Sequence, residues 1–139
     1  MQGDASDRRI EIATADAPRP AGTYAQAIVL DGVAYLAGQT ARLPDGTYVA
    51  DAPFEAQVRQ TLDNLQAVAR ACGASLADAV RVTVYLKDPA RRTEFDAVYA
   101  AYVGTPPPAR AIVQSTFDHI ELEVDAIVAV PIGEAAARR

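Results

Sequence analysis

Residues 54–72 read FEAQVRQTLDNLQAVARAC, and residues 80–86 read VRVTVYL. In the first stretch Phe54, Val58, Leu62, Leu65, Ala69 and Cys72 recur at spacings of three and four. Glu55, Arg59, Gln60, Asp63 and Gln66 fill the opposite face, which predicts a helix with one buried side. In the second stretch the period falls to two: Val80, Val82 and Val84 share one face and Arg81, Thr83 and Tyr85 the other, the pattern of a strand. A long one-sided helix followed at once by a strand calls for a helix layer packed on a sheet. The punctuation agrees. Asp51 stands where an N-cap belongs, Pro53 suits the first turn, Gly73 can end the helix in the left-handed conformation, and Ser75 caps a brief turn before the strand.

Upstream of the helix, Ile10 and Ile12 alternate with polar neighbours as in a short edge strand. Two apolar runs, residues 26–31 and 33–39, are divided by Asp31-Gly32, a strong hairpin-turn signal. Pro44-Asp45-Gly46 marks a further turn. Downstream, a second helix is expected over residues 89–103, with Asp88 as N-cap, Pro89 as first residue and Phe95, Val98, Tyr99 and Tyr102 as its buried stripe. Gly104 and Pro106-Pro107-Pro108 stop it, and two strands follow over residues 109–115 and 122–130. The order is β-β-β-α-β-α-β-β. Two helices cannot cover both faces of such a sheet, so the expected fold is an α+β two-layer sandwich: a mixed sheet with both helices on one face. The bare face, rich in Ala, Val, Ile and Tyr, is expected to associate with other copies.

The 139 residues suit a single domain over residues 10–131, with flexible tails expected at 1–9 and 132–139. No apolar run approaches the roughly 18 residues of a membrane span, and the N-terminus lacks the basic start and apolar core of a secretion signal. The single cysteine, Cys72, excludes an internal disulfide framework and supplies no metal-ligand pattern. A cytoplasmic location and no membrane partner are therefore expected. The net charge is −5 and the basic residues are scattered in pairs, such as Arg91-Arg92, so no basic stripe is present to neutralise nucleic-acid phosphates.

Few residues are placed to carry chemistry. Arg110 begins an otherwise apolar strand; it is either a surface charge or a planar fork of donors for a carboxylate. Glu121, Glu123 and Asp125 alternate with apolar residues on one strand face, which is either simply solvated or the seat of a general acid/base carboxylate. Gly38, at a strand end, marks a bulge or a close approach of ligand to backbone. Tyr24 is an exposed or half-buried phenol near a strand start, or a core tyrosine. His119, the only histidine, has no recognisable nucleophile to serve, and Cys72 reads as core.

The ordered segments Tyr24-Ala25-Gln26-Ala27, Leu36-Ala37-Gly38-Gln39, Thr61-Leu62-Asp63-Asn64-Leu65, residues 82–88, Tyr99-Ala100-Ala101-Tyr102, Pro108-Ala109-Arg110 and residues 122–127 resemble the RidA/YjgF family, once labelled L-PSP endoribonucleases. The resemblance spans roughly residues 18–131. It implies a chorismate-mutase-like fold, a homotrimer whose sheets form a central barrel, and ligand pockets between neighbouring subunits. By the same resemblance Arg110 binds the substrate carboxylate and Glu123 orients water, with Asp125 at the next acidic position. Tyr24 lines the pocket, and the backbone of Ala37 and Gly38 contacts substrate. Ala25, Ala37, Asp96 and Ile112 depart from the family pattern; Asp96 and Ile112 are substrate-binding positions whose changes bear on substrate choice. The stretch between Arg110 and Glu123 is also shorter than in typical members.

The implied activity is cofactor-independent hydrolysis of small 2-imino or 2-enamino acids to 2-keto acids and ammonia, on a carboxylate-bearing substrate and without a metal. The alternatives are a non-catalytic metabolite-binding regulatory trimer, favoured by Asp96 and Ile112, and an offshoot that deaminates a ring-derived amine. The acidic balance and the absence of a histidine pair argue against a ribonuclease.

Overall fold

A computed structural model describes residues 8–131. The remaining parts of the expected tails, residues 1–7 and 132–139, lie outside the described residues. The strands are β1 (Ile10–Ile12), β2 (Ala27–Leu30), β3 (Val33–Gln39), β4 (Ala79–Leu86), β5 (Ala109–Gln114) and β6 (Leu122–Ala129), and the helices are α1 (Phe54–Ala71) and α2 (Arg92–Tyr99). They form the expected sequence of elements. The six strands make one sheet in the order β1-β2-β3-β6-β4-β5, antiparallel except for the β4–β5 pair. Both helices pack on one face of it, α1 across β3 and β6 and against α2.

Local chemistry sets most element ends. Asp31 and Gly32 both take positive φ, 51° and 81°, as a two-residue hairpin turn between Leu30 and Val33 demands. Gly73, at φ 84°, closes α1: its N–H reaches the Arg70 carbonyl at 2.9 Å and the Ala74 N–H reaches that of Ala69 at 3.0 Å, so two end carbonyls are satisfied. Ser75 and Asp78 form the short cap before β4, the Ser75 N–H bonding Asp78 Oδ2 at 3.0 Å. Asp88 Oδ1 accepts from the Ala90 N–H at 2.9 Å.

Four local expectations change. Asp51 is not the N-cap of α1; Pro53 occupies that position, with no side-chain cap. The second helix is shorter than residues 89–103: Pro89–Arg91 is a 3₁₀ turn, α2 ends at Tyr99, and residues 100–102 tighten into turns. Tyr102 is consequently only half-buried, and its hydroxyl bonds Asp63 Oδ1 at 2.6 Å; burial and that carboxylate push the phenol up to about 12. Val80 does not join Val82 and Val84. Ala79 pairs with Val128 and Arg81 with Ile127, so Val80 is the extra residue of a bulge and stays 51% exposed.

The core lies between sheet and helices. Leu62, Leu65, Val68, Phe95 and Val98 from the helices meet Leu36, Val82, Val84, Leu86, Leu122, Val124 and Val128 from the strands. Alternation leaves the second face of the sheet to Ile28, Tyr35 and Ile127, which lie in register across three neighbouring strands, with Tyr35 47% exposed. Among the described residues no helix is long and apolar enough to cross a membrane.

Candidate functional site

The strand pair β3–β6 slips register between Leu36 and Gln39, so Ala37 and Gly38 together oppose Asp125. At that bulge a side chain on Gly38 would meet Glu123: a Cβ there lies 2.6 Å from Oε2 and 2.9 Å from Cδ. The glycine is therefore required by the carboxylate that fills its place. Glu123 lies on the bare face, between the core residues Leu122 and Val124. A cavity of about 110 Å³ opens over it, lined also by Gly38, Tyr24, Gln26, Arg42 and Tyr48. Burial raises the Glu123 carboxyl above its ordinary range, and the neighbouring Asp125 charge adds to the rise. Asp125 is also raised by burial, against the pull of the Tyr85 hydroxyl, 3.5 Å away, and of Arg81.

The walls of this cavity hang on buried amides. Gln26 accepts from the Thr14 N–H at 2.7 Å and donates to the carbonyls of Thr14 and Pro18 at 3.1 and 2.9 Å, fixing the segment that leads to Tyr24. On α1, Asn64 donates to the carbonyls of Thr40 and Arg42 at 3.1 and 2.6 Å, and Gln57 to those of Ala50 and Ala52 at 3.2 and 3.0 Å. These bonds hold the loop that presents Arg42 and Tyr48. The Tyr24 hydroxyl accepts from the Ala21 N–H at 3.0 Å. Arg42 donates to the Arg19 carbonyl. His119 is exposed and packs edge-on against Tyr48, ring centres 4.8 Å apart.

Arg110 lies elsewhere. It pairs with Val82, a core residue, and so projects on the helix face of the sheet. Its Nη1 meets Asp96 Oδ1 and its Nη2 meets Oδ2 at 3.3 Å, a two-pronged ion pair to α2. The guanidinium stands 4.9 Å over the Tyr99 ring and 5.9 Å from that of Phe95. The Asp96 bond raises Arg110 further above its ordinary value, holding it charged.

The predicted residues thus fall into two groups. Tyr24, Gly38 and Glu123 meet; Arg110 and Asp96 meet; the two groups do not meet within one chain. Arg110 is level with Ala126 of β6, two strands away, whereas Glu123 is three residues earlier in β6 and on the other face. Ala37 adjoins Gly38, but its N–H is already bonded to the Gln26 carbonyl at 2.9 Å. Ile112, two residues beyond Arg110 on the same face, packs on the core. Sequence reasoning missed Arg42 and Tyr48, which carry no local signal, and the structural amides Gln57 and Asn64. The latter were detectable as polar residues set inside the apolar stripe of α1.

The model for the endoribonuclease L-PSP family matches residues 14–130. The chain belongs to this family, which includes the RidA/YjgF proteins. A RutC family protein of Pyrococcus horikoshii is 40% identical over 103 residues, 74% of this chain and 82% of that protein. The chloroplastic Reactive Intermediate Deaminase A of Arabidopsis thaliana is 33% identical over 104 residues, 74% of this chain and 55% of that protein. Among solved structures, RidA from an Antarctic Psychrobacter superposes with a TM-score of 0.82 at 32% identity, covering 88% of this chain and all of that one. TdcF of E. coli with bound serine does so with a TM-score of 0.78 at 27% identity, covering 88% and 99% of the two chains. The family therefore includes reactive-intermediate deaminases, and at least one relative holds a small amino acid.

Proposed function

We propose that the chain is a deaminase that hydrolyses small 2-imino or 2-enamino acids to 2-keto acids and ammonia. In this reading it acts as a homotrimer in which Arg110 of one subunit faces the Glu123 cavity of its neighbour. The observation that carries the reading is Glu123: a desolvated carboxylate without a cation partner among the described residues, seated against Gly38 beside Tyr24. Such a group is a stronger base than an ordinary glutamate and suits the activation of water. Water adds to the C=N carbon as Glu123 takes one of its protons and passes it to nitrogen, giving a carbinolamine; Glu123 then moves the carbinol hydroxyl proton to nitrogen, the C–N bond breaks, and ammonia leaves as the carbonyl forms. Arg110 fixes the substrate carboxylate and so the position of that carbon. An imine is already electrophilic, so no metal or organic cofactor is required. The named deaminase relative and the serine-bound one support the substrate class. The apolar bare face supports association.

Arg110 and Glu123 on opposite faces of one sheet can share a substrate only if two chains contribute. Ammonia release from freshly generated 2-imino acids tests the chemistry, and mixing variants tests the shared site. Arg110→Ala and Glu123→Gln should each be inactive. After subunit exchange between them about one site in four unites both intact groups, and activity should return to about a quarter of wild type. An inactive mixture with verified exchange would refute the shared site, and no ammonia from wild type would refute the enzyme. The Arg110–Asp96 pair favours a second reading, a metabolite-binding trimer without turnover; binding of a 2-imino or 2-amino acid without ammonia release would establish it.

A further inference from the structure

The Arg110 fork is filled by an acid of its own chain, and this bears on what the site accepts. The pair is neither superficial nor sealed: the Arg110 side chain is 23% exposed and that of Asp96 47%. Both line a groove of about 600 Å³ with Tyr99, Val103, Pro107 and Pro108. The Tyr99 ring, stacked against the guanidinium, forms part of the wall. Tyr99 is only 6% exposed, with its hydroxyl buried beside Arg110. The groove thus offers two opposite charges at once: a guanidinium and a carboxylate.

A plain monocarboxylate gains the Arg110 fork only by displacing Asp96, which is then left as an unpaired, half-exposed acid beside the incoming negative charge. A ligand bearing a carboxylate and a cationic nitrogen on the same carbon exchanges partners instead. Its carboxylate takes the guanidinium, its nitrogen takes the Asp96 carboxylate, and no charge is stranded. We propose that Asp96 is a specificity-determining residue that makes the Arg110 groove select zwitterions, 2-amino or protonated 2-imino acids, over plain carboxylates such as the 2-keto acid product. This rests on the reading of Arg110 as the substrate-carboxylate clamp. Within that reading it separates substrate from product, since hydrolysis removes the nitrogen that Asp96 recognises.

L-Serine and L-glycerate are the probes, because they differ only in an ammonium against a hydroxyl. Their affinities for the full-length protein are measured by NMR titration. Wild type should bind serine about tenfold tighter than glycerate. Asp96→Asn should bring the two within about twofold, chiefly by tightening glycerate, and Asp96→Glu, which keeps the charge, should retain the preference. Arg110→Ala should lose both ligands. An unchanged serine-to-glycerate ratio in folded Asp96→Asn, with binding lost in Arg110→Ala, would overturn the role of Asp96 and leave the clamp standing. Undiminished binding in Arg110→Ala, or no binding of either probe by wild type, would overturn the clamp and the inference with it.

Discussion

On the helix face of the sheet Arg110 already has its counter-ion; on the other face Glu123 has none among the described residues. Arg110 is held by Asp96, stacked on Tyr99, and secured in its charged form. Glu123 is packed into the space left by a glycine, next to a second acid, and its charge is disfavoured. Each half also contains one glycine that marks what it tolerates. Gly38 is kept small by the end of a flexible side chain, Gly104 by a backbone: a Cβ on Gly104 would lie 2.6 Å from the Ala77 carbonyl oxygen. The Arg110 half is thus organised as a structural contact that a ligand must reopen. The Glu123 half stores an unbalanced charge within a scaffold that does not need it.

The most severe break in this comparison is removal of either charged group. Arg110→Ala and Glu123→Gln should each lower ammonia release by about 100-fold or more, while circular-dichroism melting shows both folded. They should differ in which parameter falls. Loss of the clamp raises KM and lowers kcat, whereas loss of the base acts on kcat. Retention of kcat in Glu123→Gln would take the carboxylate out of the chemistry.

Next come the two glycines. Gly104→Ala drives a methyl into a carbonyl that the backbone must move to relieve, so it should cost about 2 kcal/mol and lower Tm by several degrees. Gly38→Ala drives a methyl into Glu123, which can swing aside. It should leave Tm nearly unchanged and reduce kcat by about tenfold, by misplacing the base. The reverse pattern, a destabilised Gly38→Ala with normal turnover, would mean that the bulge serves the sheet and not the carboxylate.

Much of this architecture was legible because it is local. The hairpin turn at Asp31-Gly32, the end of α1 at Gly73 and the buried stripe from Phe54 to Cys72 depend on residues within a few positions of one another, and each stands where the pattern put it. Val80 was misplaced because a bulge is decided by the partner strand, which the alternation in β4 does not contain. The same limit applies to the site. Glycine at 38 signalled either a bulge or a close approach; it is a bulge, and the close approach comes from Glu123, 85 positions away in sequence and adjacent only through the β3–β6 pairing. The Arg110–Asp96 pair joins a strand to a helix, and no spacing announces it. The buried amides Gln57 and Asn64 were visible as polar interruptions of a stripe, but not what they would hold.

The smallest effect concerns pH, and it pulls stability and activity in opposite directions. The folded-state pKa of Glu123 lies above its ordinary value of 4.5, so the native state favours the protonated form. Its contribution to stability is therefore greatest at acid pH and declines as pH rises from the ordinary value through the raised one. Turnover needs the ionised base and should rise over the same interval. Glu123→Gln removes the charge at every pH. At neutral pH it should melt slightly above wild type, by about 2 °C, and the gap should close below pH 4.5, where both side chains are neutral. Arg110→Ala should move the other way, melting below wild type at neutral pH because Asp96 loses its partner in a half-buried groove. A melting temperature for Glu123→Gln below that of wild type at neutral pH would mean that the carboxylate is stabilised by its surroundings, and the contrast between the two faces of the sheet would disappear.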